Sequence, residues 1–315
     1  MDSGEGHMRM VQGPVVEAAD PWDPESRTAE LNRPGEPVPP LDEPDTDDPI
    51  VPPRDAGLPG WFDRWRGVLR RCAPGLLPIG LIAALPMHFF VGRVDDTVVA
   101  APALSDLLGG FGLLLLPLMW LAYFAVSALP LVLALAGTVA VAVAEAASGA
   151  RPGPRRVWRL VANRLRPLWL WFAAFSLLTQ ALPLLLTADR LGAAVAVPLA
   201  IGLGALSTAV LTFIGVLGCV VLIEREHGRR RAQHLCSRAR LGGLAAAALG
   251  VTVLPRLTDA AWGGLAGGMA STAVAVATVL LWAIAALVTY AQARRADSRV
   301  TSESLFAELS APEPE

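Results

Sequence analysis

Long apolar runs alternate with short polar connections along most of this chain, from Pro74 to Ala293. A bilayer core about 30 Å thick is crossed by roughly 20 apolar residues in an α-helix. Six runs reach or approach that length, and we interpret them as transmembrane helices: residues 74–92, 113–144, 167–187, 193–223, 241–254 and 264–291. The predicted fold class is therefore all-α, a polytopic membrane protein with about six transmembrane helices.

Several of these runs differ from a simple span. The run 241–254 is short and rich in Gly and Ala. A tilted, protein-buried or re-entrant segment is therefore an alternative to a full crossing of the membrane. The second, fourth and sixth runs are longer than one crossing requires. We expect these helices to tilt, to project beyond the bilayer or, near Pro130, to kink.

The six runs contain no Asp, Glu, Lys or Arg, and only 17% of the whole chain is charged. Ion-coupled transporters usually place an ionisable group within the membrane, although its insertion costs roughly 2.5–3.5 kcal/mol. This pattern counts against a proton-coupled antiporter. It leaves a passive or lipid-handling pathway open.

Arginines are concentrated in alternate connections. Nineteen lie in residues 61–73, 146–166 and 224–240 and after the last run, whereas the other connections hold only Arg93, Arg190 and Arg256. Basic residues are enriched in cytoplasmic loops, so both termini are predicted in the cytoplasm. All 26 basic residues are Arg, and Ala, Leu, Gly and Pro abound, which suggests a GC-rich bacterial genome. The predicted localisation is the bacterial plasma membrane, with a multi-pass topology.

Residues 1–60 differ from the rest in composition, with 14 acidic residues, 4 arginines and 12 prolines. Such a segment buries too little apolar surface to offset the entropy of ordering. We predict a disordered acidic Pro-rich cytoplasmic tail over 1–60, a six-helix transmembrane domain over 61–296, and a short cytoplasmic tail over 297–315. The first tail is either a docking arm for a protein partner or a solvated tail without one. No cleavable signal peptide is expected, because the first apolar run starts near residue 74.

Two arginine-rich segments carry apolar stripes at helical spacing. Trp61, Trp65, Val68, Leu69 and Cys72 form the first stripe, and Val157, Trp158, Val161 and Leu165 form the second. Helices of this kind lie on a membrane with their guanidinium groups in water, and anionic lipid strengthens the attachment. They either anchor the topology or bind lipid headgroups or a partner. The predicted membrane-surface residues are Trp61, Trp65, Arg66, Arg70, Trp158, Arg159 and Arg164.

The basic segments also resemble one another, since Trp65-Arg66 precedes Pro74 by the same spacing as Trp158-Arg159 precedes Pro167. We propose three units, at about 61–145, 155–224 and 230–293, each an amphipathic helix followed by a helical hairpin. The alternative is chance similarity, because any hairpin protein with basic cytoplasmic loops looks partly like this.

Motifs for chemistry are scarce. The chain has no Walker loop, HExxH, GxSxG elbow or paired-cysteine metal pattern, and free thiols are expected for Cys72, Cys219 and Cys236. The nearest metal-like set is Glu224, Glu226, His227 and His234, but the surrounding arginines oppose cation binding. We predict no enzymatic activity, no catalytic residue, no metal, no cofactor and no nucleic-acid partner.

Polar and small residues within the spans are interpreted as packing devices. Gln180, Ser207 and Thr208 are predicted to make hydrogen bonds between helices. The small-residue stripes 204–208, 215–218 and 264–268 are predicted to allow close contact between helix backbones.

The order of residues from Gly137 to Phe175 resembles a known family. A small-residue helix is followed there by Glu145, Gly149, Arg151-Pro152, Arg155-Arg156, Trp158 and the run Arg164 to Leu168, and the stretch from Val220 to Leu254 is similar in kind. Over about residues 60–295 the chain resembles the bacterial six-helix family related to the membrane domain of glycerophosphoryl diester phosphodiesterases. Catalysis in such phosphodiesterases belongs to a separate soluble barrel, for which the tails here are too short. The resemblance thus implies a membrane module and no catalytic residue.

The leading functional hypothesis is a non-enzymatic integral membrane module that acts as a scaffold or accessory subunit. Its expected partners are membrane lipids, anionic ones above all, and a protein bound through the N-terminal tail. The alternative is a transporter or lipid-handling permease without an intramembrane ionisable coupling group, which predicts a polar-lined cavity near Gln180 or Ser207. An intramembrane enzyme ranks third, since the sequence shows no nucleophile–base pair.

Overall fold

A computed structural model of the protein describes residues 48–53, 57–86, 112–185, 193–224, 228–262, 264–298 and 300–311. Ten α-helices and no strand occur in these ranges, which confirms the all-α class. In chain order they are α1 Gly57–Pro86, α2 Gly112–Ser127, α3 Leu129–Ser148, α4 Pro154–Val161, α5 Leu165–Leu185, α6 Ala193–Ile223, α7 Arg229–Arg238, α8 Gly242–Trp262, α9 Gly264–Arg295 and α10 Ser302–Ser310. A 3-10 turn, Ala162–Arg164, joins α4 to α5.

Five helical segments of the described residues are long and apolar enough to cross a membrane, so the chain is of multi-pass membrane type. They are Gly57–Leu85, Leu121–Ser148, Val197–Ile223, Gly242–Trp262 and Gly268–Arg295. The sixth predicted span, 167–187, falls on α5 and on residues 186 and 187, which lie outside the described ranges. Six spans and the three-unit arrangement therefore stay predictions.

Helix boundaries differ from the expected ones at three places. The first span begins well before Pro74, because α1 runs without interruption from Gly57. The second run is divided at Ala128, between α2 and α3. Pro130 has no N–H to donate and its ring clashes with the preceding turn, so it is placed in the first turn of a new helix. The fifth run is longer than predicted, since α8 continues to Trp262.

Helices α3, α6 and α9 form the centre of the body, and α1, α5, α8 and α10 pack around them. Glycines permit the closest approaches: a Cβ on Gly215 would lie 3.0 Å from Ala286, and one on Gly218 would overlap Leu135. The small-residue prediction is thus confirmed for 215–218. At Gly204 and Gly268, an added Cβ would have no described atom within 4 Å, so close helix contact there stays a prediction.

Residues 48–53 fall within the predicted tail, yet they pack against the helices. Ile50 and Val51 are fully buried. The Arg71 and Arg295 guanidinium groups donate hydrogen bonds to the carbonyl oxygens of Pro49 (2.6 Å) and Pro52 (3.0 Å). These six residues belong to the folded body, whereas residues 1–47 lie outside the described ranges.

Candidate functional site

Charged side chains gather where α3, α6 and α9 end, which we call the basic end of the body. They come from the end of α6, from α7, from the last turns of α9 and from α10. We call them the polar cluster: Glu224, Arg231, His234, Arg238, Tyr290, Arg294, Asp297 and Glu308.

Glu224 lies at the centre of the polar cluster, with only 10% of its side chain exposed. Its Oε1 accepts a hydrogen bond from the Tyr290 hydroxyl (2.8 Å), and its Oε2 accepts one from Arg231 Nε (2.9 Å). Burial lowers the pKa of Arg231, but the hydrogen bonds and charges of Glu224 and Asp297 outweigh burial and raise that pKa overall. The charged form of the Arg231 guanidinium is therefore stabilised by its two carboxylate partners.

Asp297 holds α7 to the turn after α9. Its two carboxylate oxygens accept hydrogen bonds from Arg231 (2.9 Å) and Arg238 (2.7 Å), and His234 Nδ1 lies 3.3 Å from one of them. The same helix carries Cys236, where burial raises the pKa of the thiol to about 11. All three cysteines are free, as predicted.

Two members of the metal-like set, Glu224 and His234, lie beside oppositely charged or polar groups of the polar cluster. Glu224 and His234 each face a partner in the polar cluster, and no group of three metal-ligating side chains occurs within the described residues. Glu226 and His227 lie outside them. The carboxylate of Glu224 already accepts donors from two helices, which leaves it poorly placed as a metal ligand.

Helix α10, which the sequence analysis missed, is fastened at both ends. At its start, Thr301 and Ser304 form a reciprocal capping box, and Asp48 Oδ2 accepts a hydrogen bond from the Ser302 N–H (2.7 Å). At its end, Arg164 donates to the carbonyl oxygens of Glu308 and Leu309 and also to that of Leu222 in α6. Between these points, the Arg294 guanidinium makes two 2.6 Å hydrogen bonds to the Glu308 carboxylate.

A sequence signal for α10 exists. The Thr301-x-x-Ser304 pattern precedes Leu305 and Leu309, which are spaced one helical turn apart and are buried. The segment is too short and too polar to be recognised by apolar length.

The first predicted membrane-surface stripe faces protein. Trp61 is only 5% exposed, donates its indole N–H to the Thr289 hydroxyl (3.0 Å) and stacks on Trp65. The Trp65 indole donates to the Leu281 carbonyl of α9 (3.1 Å). The indoles of these two tryptophans are therefore engaged by α8 and α9, and their place at the membrane surface stays a prediction. Arg66 and Arg70, on the other face of α1, are exposed.

The second stripe remains open. Trp158 is 57% exposed and Arg159 is exposed as well, while Arg164 is half-buried and bonded to helix ends. The apolar side of α4 lines a cavity of about 310 Å³ between α1, α3 and α4, which we call the α4 groove. A second apolar cavity of about 450 Å³ lies between α2 and α5.

Of the predicted interhelix polar residues, the structure describes the side chains of Ser207 and Thr208. The Thr208 hydroxyl donates to the Gly204 carbonyl of its own helix (2.9 Å), Ser207 is half-buried, and the Gln180 side chain lies outside the description. Neither cavity described above is lined by Gln180 or Ser207. Hydrogen bonds between α2 and α5 come from other groups: the Ser127 and Ser176 hydroxyls (2.7 Å) and the Trp169 indole on the Ala125 carbonyl (2.8 Å).

Comparisons with known proteins give no match. No family model fits the chain, and no curated protein or solved structure is detectably similar to it. The resemblance to the phosphodiesterase-related membrane family stays a prediction.

Proposed function

We propose that this protein is a non-enzymatic module of the bacterial plasma membrane that serves as a scaffold or accessory subunit. The polar cluster is the observation that carries the proposal. Glu224, Asp297 and Glu308 are each neutralised by arginines from other elements. Carboxylates engaged in this way stabilise an arrangement of helices, whereas a catalytic acid or base needs access to a substrate.

A rigid basic end gives a scaffold a defined surface. Buried or half-buried ion pairs with bidentate arginine geometry fix the relative positions of helices more firmly than exposed pairs do. Outside these pairs, Arg155, Arg159, Arg229 and Arg230 are exposed. Such a surface suits anionic partners, which are anionic lipids and acidic protein segments.

The N-terminal arm is the proposed contact for a protein partner, and the structure defines where to cut it. Deletion of residues 2–47 spares the packed segment 48–53. The full chain and this variant are crosslinked and extracted in mild detergent. We expect the variant to insert into the membrane normally but to lose a partner that co-purifies with the full chain. A variant in which four acidic residues of the arm are changed to Asn or Gln keeps the length of the arm and lowers its negative charge. It therefore shows whether the partner depends on charge or on length.

The co-purification test has a clear negative result. If the partner list is the same with and without residues 2–47, the docking-arm function is refuted. Deletion of residues 2–53 is the matched structural control. It removes the Asp48 bond to α10, so a loss seen only in this variant reports damage to the body and not loss of the arm.

A further inference from the structure

The α4 groove is bounded by α1 and α3 at its floor and by α4 on one side, and it is open on the remaining side. Its floor is formed where α1 and α3 touch: a Cβ on Gly137 would lie 3.0 Å from Ile79, and one on Gly75 would lie 3.0 Å from Val141. Its wall is the apolar side of α4, presented by Pro154, Val157, Trp158 and Val161 at helical spacing. The cavity lies at the small end of the range of about 300–1,000 Å³ for ligand sites.

The position of α4 is set from its other side. Arg156 lies over the Phe306 ring of α10, 5.3 Å from its centroid, and Arg164 bonds to the ends of α6 and α10. Neither of these residues lines the groove. The groove is therefore held open by contacts independent of its own lining, and it need not collapse when it is empty.

One charged residue stands at the mouth of this apolar groove. Arg151, in the turn between α3 and α4, lines the cavity and is exposed. Within the described residues it has no ion-pair partner, and the exposed Arg155 and Arg159 follow on α4. An apolar slot with a cation at its opening is complementary to a ligand with an aliphatic chain and a phosphate.

We propose that the α4 groove binds one acyl chain of an anionic glycerophospholipid, with Arg151 on its phosphate. Free phosphate alone does not explain an apolar lining of this extent. A zwitterionic lipid such as phosphatidylcholine has the same phosphate, but its choline cation is repelled by Arg151 and by the exposed Arg155 and Arg159, so an anionic lipid fits better. The inference rests on the membrane placement of the chain. It does not rest on the scaffold role or on the N-terminal arm.

Native mass spectrometry of the detergent-extracted full chain tests the site. Phosphatidylglycerol and phosphatidylcholine with identical acyl chains are added at equal concentration. We expect preferential retention of one phosphatidylglycerol. R151Q should weaken its retention about fivefold and remove the preference, whereas R159Q, which changes an equal charge outside the groove, should not.

A second variant tests the apolar part. V157W fills the groove and should reduce retention of both lipids, with an unchanged circular-dichroism melting curve as the check on folding. If V157W does not fold, photo-crosslinking of a diazirine-acyl phosphatidylglycerol must label residues on α1, α3 or α4 of the unaltered chain. Glycerol 3-phosphate in excess should displace neither lipid.

Three results would overturn the proposal. They are equal retention of the two lipids by the unaltered chain, equal losses in R151Q and R159Q, and crosslinks confined to other helices. Displacement by glycerol 3-phosphate would assign the site to a soluble phosphate. Loss of a protein partner on removing residues 2–47 leaves the lipid result unaffected, so the two proposals fail separately.

Discussion

The first and second arginine-rich segments have similar sequences and different environments. In α1, the stripe that contains Trp61 and Trp65 is packed on α8 and α9, and the helix continues directly into the span. In α4, the stripe that contains Trp158 faces an open groove, and a 3-10 turn separates the helix from α5. An apolar stripe thus identifies the face that avoids water, but not the partner that covers it.

The difference arises from neighbours distant in sequence. Gly243 of α8 lets the Trp61 ring approach the α8 backbone, and Thr289 of α9 accepts its N–H. No described helix supplies an equivalent surface to Trp158. One segment therefore became part of the helix bundle, and the other remained available to a ligand.

The largest expected effect comes from truncating the two tryptophans. W61A removes a buried ring and leaves the Thr289 hydroxyl without its donor, so the free energy of unfolding should fall by about 3–5 kcal/mol. W158A removes an exposed ring and should change it by less than about 0.5 kcal/mol. Reversible unfolding of the detergent-solubilised chain by dodecyl sulfate measures both. Equal losses would mean that the two stripes are covered alike.

Arginine substitutions next to α4 test how that helix is held. R164Q removes charged donors from the ends of α6 and α10, so it should lower the free energy of unfolding by about 1.5–3 kcal/mol. It should also speed hydrogen exchange in α10. Arg166 is exposed two residues away, and R166Q serves as the control. If exchange in α10 responds equally to both variants, Arg164 does not fasten it.

Substitutions at two neighbouring glycines of α8 test whether this helix packs on the Trp61 side of α1. A Cβ on Gly243 would lie 2.6 Å from the Trp61 ring, whereas Gly242 has open space beside it. We expect G243A to cost about 1–3 kcal/mol of unfolding free energy through overpacking, and G242A to be nearly neutral. The double variant W61A/G243A should lose less unfolding free energy than the sum of the two single losses, because without the Trp61 ring the new Cβ at position 243 has nothing to clash with. Additive losses would place the ring elsewhere.

Cysteine labelling extends the comparison to the third basic segment without altering stability. Because burial raises the pKa of Cys236 to about 11, only about one thiol in a thousand is ionised at pH 8. Its alkylation rate, followed by mass spectrometry, should rise about tenfold per pH unit towards pH 11. A thiol introduced on α4 by R159C is exposed and should react much faster at pH 8. A rate that stops rising near pH 9, as it does for a thiol with the ordinary pKa, would contradict the raised pKa of Cys236.

Some features of the fold could be predicted from local pattern alone. Apolar length identified the long helices, although Arg256 and Asp259, expected in a connection, lie within α8, and Pro130 marked the break between α2 and α3. The apolar side of α1 could be read from the sequence too, because helical periodicity is a local property, and Trp61, Val68 and Cys72 are buried. Helix α10 and residues 48–53 were missed, since their order depends on Asp48, Arg164 and Arg294 reaching them from distant parts of the chain.

The sequence by itself determined that this protein is built from long apolar helices with basic ends, because burying apolar side chains and solvating arginines are requirements of each segment alone. Only the tertiary structure decided which stripe is covered and which carboxylate meets which arginine. Those outcomes depend on geometry between residues far apart in the chain, such as Trp61 with Gly243 and Glu224 with Tyr290. The open groove beside α4 is likewise a property of the assembled helices.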